Sequence, residues 1–124
     1  MNIVDSSGWL EYFADGQNAD FFAEPIRSKQ SLIVPTISIT EVFKRVLQQR
    51  GESAALQSTA LMQQGEVVPL DIATAINAAK LGLALRLPLA DSVILATAQL
   101  YRATLWTQDA DFKGLPGVQF TPKA

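Results

Sequence analysis

Five short apolar runs alternate with segments of helical periodicity along this chain, and no other feature restricts the fold as much. The runs that predict strands are residues 2–4, 31–35, 66–70, 103–107 and 117–121. Helices are predicted over residues 7–15, 18–28, 38–51, 52–65, 71–87 and 91–102. Strands that alternate with helices form parallel sheets with helices on both faces. The sequence therefore predicts a three-layer α/β/α sandwich with a central parallel sheet of four to five strands, in one domain over residues 1–124.

Histidine and cysteine are both absent from the 124 residues. Their absence excludes a Ser-His-Asp relay, a cysteine nucleophile and a zinc site of thiolates or imidazoles within this chain. Catalysis near neutral pH would have to use carboxylates, hydroxyls, Lys or Arg, or a hard metal ion on oxygen ligands. The net charge of −2 gives no general attraction for nucleic acid, so such a substrate would need a local basic patch or a metal bridge.

Targeting and phosphate-binding signals are also missing. The start of the chain, "MNIVDSSGW", has no charged region followed by a long apolar run, and no apolar run reaches the roughly 20 residues of a membrane helix. We therefore expect a cytoplasmic protein with no membrane contact. Neither glycine-rich phosphate loop motif follows a predicted strand, which argues against nucleotide binding by those routes.

Acidic residues lie where the predicted strands end. Asp5, Asp71 and Asp109 each follow a strand, and Asp111 comes two residues later. Glu41 lies one turn into the helix that follows strand 31–35, and Asp91 opens the helix that begins at that residue. In an open parallel sheet, ligands bind beyond the carboxyl ends of the strands, so these positions are the candidates for a functional site.

Helix capping is the simpler explanation for each acid taken alone. Aspartate is a favoured N-cap, and both Asp71 and Asp91 fit that role, as does Asp5. The segment "SITE" (38–41) matches a capping box, with Ser38 as the cap and Glu41 reaching back. These explanations predict acids that are dispersed and structural.

Clustering favours a different interpretation. Asp5, Asp109 and Glu41 are expected at one edge of the sheet, and Asp91 begins a helix that runs back from that edge. Clustered carboxylates repel one another unless a cation compensates them. Without His or Cys, the natural cation is Mg²⁺ or Mn²⁺. Such a site suits phosphodiester hydrolysis, because the metal activates water and stabilises the charge that builds on phosphate.

Four segments carry a resemblance to a known family: "IVDSSGWLEYF" (3–13), "PTISITEVFKR" (35–45), "LPLADSVILATAQ" (87–99) and "LWTQDADFKGLPGV" (105–118). In this order and at this length, the chain resembles the PIN-domain ribonucleases, and specifically the VapC-type toxins of bacterial toxin–antitoxin pairs. The resemblance implies a Mg²⁺-dependent endoribonuclease, with Mn²⁺ as a possible substitute, that hydrolyses RNA with metal-activated water. It also implies a homodimer that is silenced by a cognate antitoxin protein.

The resemblance assigns roles to individual residues. Asp5, Glu41 and Asp91 would be the core metal ligands and catalytic acids, and Asp109 would be the fourth acid. Ser6 and Thr107 would be small polar residues that order the ligands. Asp111 would either tune the site or form the turn before Phe112.

Residues outside the acidic site leave alternatives open. Arg86 and Lys44 are candidate RNA contacts, although a solvated set of charges near helix ends explains them too. Base stacking is possible at an exposed Trp9 or Tyr12, against burial in the core. An apolar docking face for the antitoxin, against ordinary core packing, could comprise Ile39, Phe43, Leu47, Leu56 and Met62.

Two other functional classes stay open at this point. A receiver-like phosphorylation domain would use Asp71 after the third strand as its phosphoacceptor, but no Lys directly follows "LWT". A non-catalytic PIN-like module that only binds a partner would most simply have lost one of the four acids, and all four are present. Metal-dependent cleavage separates the enzyme from both alternatives.

Overall fold

The computed structural model describes residues 1–124 and contains one five-stranded sheet covered by helices. Its strands are β1 (Asn2–Val4), β2 (Leu32–Pro35), β3 (Glu66–Val68), β4 (Thr104–Thr107) and β5 (Val118–Phe120). Its helices are α1 (Ser6–Phe13), α2 (Ala19–Arg27), α3 (Thr36–Arg50), α4 (Glu52–Met62), α5 (Ile72–Leu85) and α6 (Leu89–Tyr101). Two short 3₁₀ turns lie at Lys29–Ser31 and Ala110–Phe112. The predicted α/β sandwich with a parallel sheet is confirmed.

The strand order is β3-β2-β1-β4-β5, and every neighbouring pair is parallel. The central strand β1 pairs on one side with β2, where Ile3 aligns with Ile33, and on the other with β4, where Ile3 aligns with Leu105. The chain winds outward in one direction through β2 and β3 and then in the other through β4 and β5. The reversal lies between β1 and β4, where an open α/β sheet forms a crevice at its carboxyl edge.

Alternate residues of the central strands point to opposite layers, as strand geometry requires. Val4 and Val34 face a core built from α1 to α4 that includes Trp9 and Phe22. Ile3, Ile33 and Leu105 face the other core, against α6. Helix α5 packs mainly on α6 through Ala78, beside Val93 and Ala96. Since α5 lies outside α6, its far side is left exposed.

Several observed helix boundaries differ from the predicted ones by one to three residues, and those of α2 and α3 have a clear cause. Pro25 was expected to interrupt or end its helix, yet α2 continues to Arg27, because burial of Ile26 in the core stabilises the last turn. Helix α3 begins at Thr36 instead of 38, directly after Pro35, whose φ of −65° and ψ of 140° suit an N-cap. Its end at Gly51 is as predicted, and the φ of 89° there favours glycine.

No single helix is both long and apolar enough to cross a membrane. Helices α5 and α6 reach that length and composition only when counted together, and they are bent by 118° relative to each other.

Candidate metal centre

The carboxyl ends of β1 and β4 bring the first and the last of the predicted acids together. Asp5 directly follows β1, and Asp109 comes two residues after β4. Because these strands are paired in parallel, their ends meet at the reversal of strand order. Glu41 lies on α3, which starts at the end of the neighbouring strand β2, and Asp91 lies in the first turn of α6. The topology thus gathers four acids at one edge.

Asp5 is buried and serves as the N-cap of α1, which confirms the capping interpretation for this residue. Its Oδ1 accepts the Gly8 N–H at 2.8 Å, the Ser7 hydroxyl donates to both of its oxygens at 2.9 and 3.0 Å, and Thr107 Oγ1 donates to Oδ2 at 2.5 Å. A carboxylate offers about four lone-pair positions, so these three donors leave room for a cation. Capping and metal binding are therefore compatible at this residue.

The pKa of Asp5 is raised to about 6, chiefly because burial disfavours the charged form. The hydrogen bonds from Thr107, Gly8 and Ser7 act in the opposite direction, and the negative charge of Asp109 adds to the increase. A buried carboxylate with a raised pKa would be relieved by a nearby cation.

Glu41 does not form the predicted capping box. Its Oε1 accepts a hydrogen bond of 2.5 Å from the hydroxyl of Ser6, across the face where α1 and α3 meet. Because α3 begins at Thr36, Ser38 is not its N-cap but lies inside the helix, fully buried and with a hydroxyl that has no hydrogen-bond partner. The capping prediction was wrong, and Glu41 is held by α1 instead.

Asp91 is also not a helix cap. Pro88 precedes the first residue of α6 in an extended conformation, which places Asp91 at the third helical position. Burial is the main cause that raises the pKa of Asp91 to about 7, followed by repulsion from Asp109, Asp5, Glu41 and Asp111. All the other candidate acids therefore act electrostatically on Asp91, which is half-buried at their centre.

Asp111 belongs to the site at its exposed rim, a role that the sequence left open. Carboxylate oxygens of Asp91, Asp109 and Asp111 lie within 4.8 Å of one another. Asp109 N-caps the 3₁₀ turn Ala110–Phe112, and its Oδ1 accepts the N–H of Asp111 at 2.9 Å. This turn places both carboxylates against Asp91, so Asp111 is a candidate ligand as well as a turn residue.

The donor set fits a hard divalent cation. Oxygen atoms of carboxylates line the site, and Mg²⁺ and Mn²⁺ bind through one or two such groups with water completing the shell. Burial and, next, repulsion between carboxylates raise the pKa values of Asp5 and Asp91, and a divalent ion bound beside them would favour their charged forms. Residues of five different elements or loops supply the acids, so the folded chain is needed to assemble them.

Several predicted residues lie elsewhere. Asp71 is exposed and caps α5 by accepting the N–H of Thr74 at 2.8 Å, and this bond is the first cause of its lowered pKa. It follows β3 at the edge of the sheet, far from the reversal, so the receiver-like arrangement with a phosphoacceptor at a ligand crevice is wrong. Trp9 and Met62 are fully buried, which excludes base stacking and docking by those side chains.

Ser7 contributes to the site and Gln108 lies beside it, and neither was predicted as a site residue. Ser7 donates to Asp5, and Gln108 lies between Thr107 and Asp109, where its side chain accepts a hydrogen bond of 2.9 Å from Asn18. The adjacent serines of "DSS" were a signal for Ser7. The contact of Asn18 with Gln108 spans 90 residues and has no local sequence signal.

Comparison with known proteins agrees with this fold. Residues 3–118 match the family model of the PIN domain. The chain therefore belongs to the PIN-domain family. A search of curated protein sequences returned no match.

Solved structures indicate which PIN-domain proteins this chain resembles. A toxin–antitoxin complex from Klebsiella pneumoniae is similar with a TM-score of 0.81 and 27% identity, covering 99% of this chain and 98% of the other. The toxin VapC20 of Mycobacterium tuberculosis, described as cleaving the sarcin–ricin loop, has a TM-score of 0.76 at 15% identity over 94% and 95% of the two chains. VapBC2 from Rickettsia felis, bound to promoter DNA, has a TM-score of 0.75 at 13% identity over 98% and 97%. The family and these neighbours support a VapC-type PIN toxin.

Proposed function

We propose that this chain is a divalent-metal-dependent endoribonuclease that acts in the cytoplasm as the toxin of a toxin–antitoxin pair. The observation that carries the proposal is the position of Asp91, whose carboxylate lies within 4.8 Å of those of Asp109 and Asp111 and is repelled by Asp5 and Glu41. A soluble fold gains nothing from five uncompensated acids at one crevice unless a cation binds there. Membership of the PIN-domain family supports the nuclease class.

The residues of the chain have separable roles in this proposal. Asp5, Glu41, Asp91 and Asp109 would hold the cation, with Asp111 at the exposed rim. Thr107 and Ser6 would orient Asp5 and Glu41 through their hydrogen bonds. Mg²⁺, or Mn²⁺ in its place, would supply the Lewis acidity that activates water and stabilises charge on the scissile phosphate. The carboxyl group of Asp91 would lose its proton as the cation binds, because a nearby cation favours the charged form that burial and the neighbouring carboxylates disfavour at its pKa of about 7.

Cleavage of total bacterial RNA by the purified protein tests the proposal. We expect fragments with Mg²⁺, none with EDTA, and none from Asp91→Asn, which keeps the shape of the side chain but removes its charge. Asp71→Asn is the matched control, because Asp71 is an exposed acid at a helix N-terminus and Asn also caps helices. Cleavage that survives Asp91→Asn would reject the site. A protein that is folded and inactive on all RNA would favour the non-catalytic binding module.

An antitoxin partner is proposed from the structures that this chain resembles, which include toxin–antitoxin complexes. Of the residues predicted for the docking face, Met62 is buried and cannot contact a partner, whereas Leu47 and Leu56 are exposed. Co-expression with the protein encoded beside this chain, followed by size-exclusion chromatography, tests the pairing. A stable complex that suppresses RNA cleavage is the expected result.

A homodimer is proposed from the outer side of α5. Ile72, Ile76 and Leu83 recur at i, i+4 and i+11 on one side of that helix and are 80%, 55% and 85% exposed. An apolar stripe of this kind can pair with its own copy about a two-fold axis. We expect light scattering to give twice the chain mass, and Ile76→Lys to give a monomer. Leu56→Lys is the control, since Leu56 is also 55% exposed but lies on α4. A monomeric unmodified protein would reject the dimer.

A further inference from the structure

A second feature lies beside the acids and is distinct from them. A groove of about 540 Å³ runs between α1 on one side and α3 and α4 on the other. None of the five acids of the candidate metal centre lines it. Its floor contains apolar side chains, among them Leu10, Val46 and Leu61, and its walls are polar.

The groove starts at the acidic site. Ser7 and Gln108 are among its lining residues, and both lie against the site: Ser7 donates to the carboxylate of Asp5, and Gln108 is flanked by Thr107 and Asp109. On α3, Glu41 belongs to the site, whereas Arg45 and Gln49 line the groove. These three residues are spaced by four, so they lie on one side of the helix in successive turns, over about 12 Å. A chain that leaves the acids along α3 enters the groove.

The charge in the groove is opposite to that of the site. Arg45, Arg50 and Lys123 line it, and Glu11 is its one acidic residue. The carboxylate of Glu11 is engaged, since it accepts the backbone N–H of Asn18 at 2.9 Å. In a chain of net charge −2, three cations around one groove are a local concentration of positive charge that suits a polyanion.

The neutral polar residues suit nucleobases. Gln49 and Gln57 each offer an amide that both donates and accepts, which is the requirement for contacts with the exposed edges of unpaired bases. The amide of Gln108 is engaged, since it accepts from Asn18 and donates to the Ser7 carbonyl oxygen. Phe13 also lines the groove, and its ring stacks on the buried Trp9 with centroids 5.6 Å apart. Such a supported aromatic ring can stack with a base.

We infer that this groove binds the single-stranded RNA segment adjoining the scissile phosphate, with Arg45, Arg50 and Lys123 on phosphates and Gln49 and Gln57 on bases. The inference rests on the proposed nuclease function for its substrate, but binding in the groove needs neither the metal nor the acids. It also differs from the sequence-based prediction, because Lys44 and Arg86 do not line the groove. The groove, and not the metal centre, would then select the RNA sequence.

Binding without cleavage tests the inference. The probe is a fluorescein-labelled single-stranded RNA 12-mer of random sequence, titrated in EDTA and followed by fluorescence polarisation at several salt concentrations. The test variant is Arg45→Ala with Arg50→Ala and Lys123→Ala. The matched control is Arg27→Ala with Lys29→Ala and Lys80→Ala, which removes the same charge from exposed positions off the groove. Circular dichroism verifies that both triple variants are folded.

We expect the groove variant to lose about 10- to 100-fold in affinity, and the slope of log K against log salt to flatten by about 2, since each phosphate contact on a single strand contributes about 0.7. The control variant should change affinity less than about threefold. Equal losses in both variants would overturn the inference, because binding would then follow net charge alone. Unchanged RNA affinity in the groove variant would also overturn it and favour a protein segment as the occupant. Loss of affinity in a protein that shows no metal-dependent cleavage would uphold the groove while rejecting the nuclease.

Discussion

Thr107 joins two acids of the candidate site through a single hydroxyl group. Its Oγ1 donates to Oδ2 of Asp5 at 2.5 Å and accepts the backbone N–H of Asp109 at 2.9 Å. Thr107 ends β4 and is fully buried, and β4 is paired with β1, which Asp5 follows. One rigid side chain thus sets both the orientation of Asp5 and the start of the turn that carries Asp109 and Asp111. This makes Thr107 a positioning residue.

Replacing Thr107 by Val tests this role, because the substitution keeps the branched shape and removes the hydroxyl. We expect kcat for RNA cleavage to fall about 10- to 100-fold, the usual effect of losing a group that orients a metal ligand. The pKa of Asp5 should also rise further, since Thr107 is the first of the hydrogen-bond donors that lower it. The pH profile of cleavage reports that change.

Thr107→Ser supplies the control for this substitution, as it restores the hydroxyl and loses only a methyl group. We expect it to recover most of the activity and the original pH profile. Equal activity in the Val and Ser variants would show that Thr107 contributes packing alone.

Ser6 holds Glu41 in the way that Thr107 holds Asp5. Ser6→Ala removes the hydroxyl that donates to Glu41 Oε1, and we expect the Mg²⁺ concentration for half-maximal cleavage to rise about tenfold. A double-mutant cycle with Glu41→Gln checks the pairing. If Ser6 acts through Glu41, Ser6→Ala should have little further effect in the Glu41→Gln background. Additive losses would contradict the coupling.

Part of the site could be predicted from the sequence. Asp5 and Asp109 could be placed together because both follow short apolar strands, and parallel strands end at a common edge. Glu41 could be added because its helix follows the next strand. The direct pairing of β1 with β4 could not be read, since the aligned residues Ile3 and Leu105 are far apart in sequence and no local pattern specifies strand order.

The sequence-based predictions failed mainly in the hydrogen-bond partners and capping roles of individual acidic side chains. The capping box at Ser38 and Glu41 is a valid local pattern, but Pro35 starts the helix earlier and leaves Glu41 free to accept from Ser6. Asp91 likewise matched an N-cap in the sequence, but in the structure Pro88 occupies the N-cap position of that helix. In both cases a proline before the predicted start changed the helix boundary, and the acid became available to the site.

A substitution at Asp111 tests whether the metal site includes this exposed residue. The structure places its carboxylate within 4.8 Å of those of Asp91 and Asp109, although the residue is exposed. We expect Asp111→Asn to weaken Mg²⁺ binding, measured by isothermal titration calorimetry, about three- to tenfold, because one negative charge leaves the site. Asp20→Asn, an exposed acid on α2, should leave the affinity unchanged. An equal affinity in the Asp111 variant would restrict its role to the turn.

The raised pKa values predict the pH dependence of stability. Asp5 and Asp91 titrate near 3.8 in the unfolded chain but at about 6 and about 7 in the native state. Between these values the native state binds more protons, so its stability falls as pH rises. In EDTA we expect the free energy of unfolding to be about 1–2 kcal/mol lower at about pH 8 than at about pH 5.5, after allowance for the half-exposed Asp91.

Thermal unfolding measures this effect as a Tm lower by about 5 °C at the higher pH. Saturating Mg²⁺ should remove most of the difference, because the cation stabilises the ionised carboxylates. Asp71, whose pKa is lowered by the N–H of Thr74, stays ionised across this range and does not contribute. A metal-free protein that is more stable at about pH 8 would contradict the buried, mutually repelling acids.

Gly8 connects the core to the acidic site, because its N–H donates to Asp5 while its α-carbon packs against the centre of the protein. A Cβ at this position would lie 2.5 Å from Phe22 Cε1 and 2.7 Å from Val4 Cγ1, both buried. We therefore expect Gly8→Ala to destabilise the protein by about 1–3 kcal/mol in urea unfolding, through overpacking, and to lower kcat by displacing α1 from Asp5. Gly16→Ala is the control, since the nearest atoms there belong to the end of the flexible Glu11 side chain, which can shift at the expense of its hydrogen bond from Asn18, and it should cost less. Equal losses in the two variants would indicate a general effect of substituting glycine, and would argue against a close contact specific to the site where α1 begins.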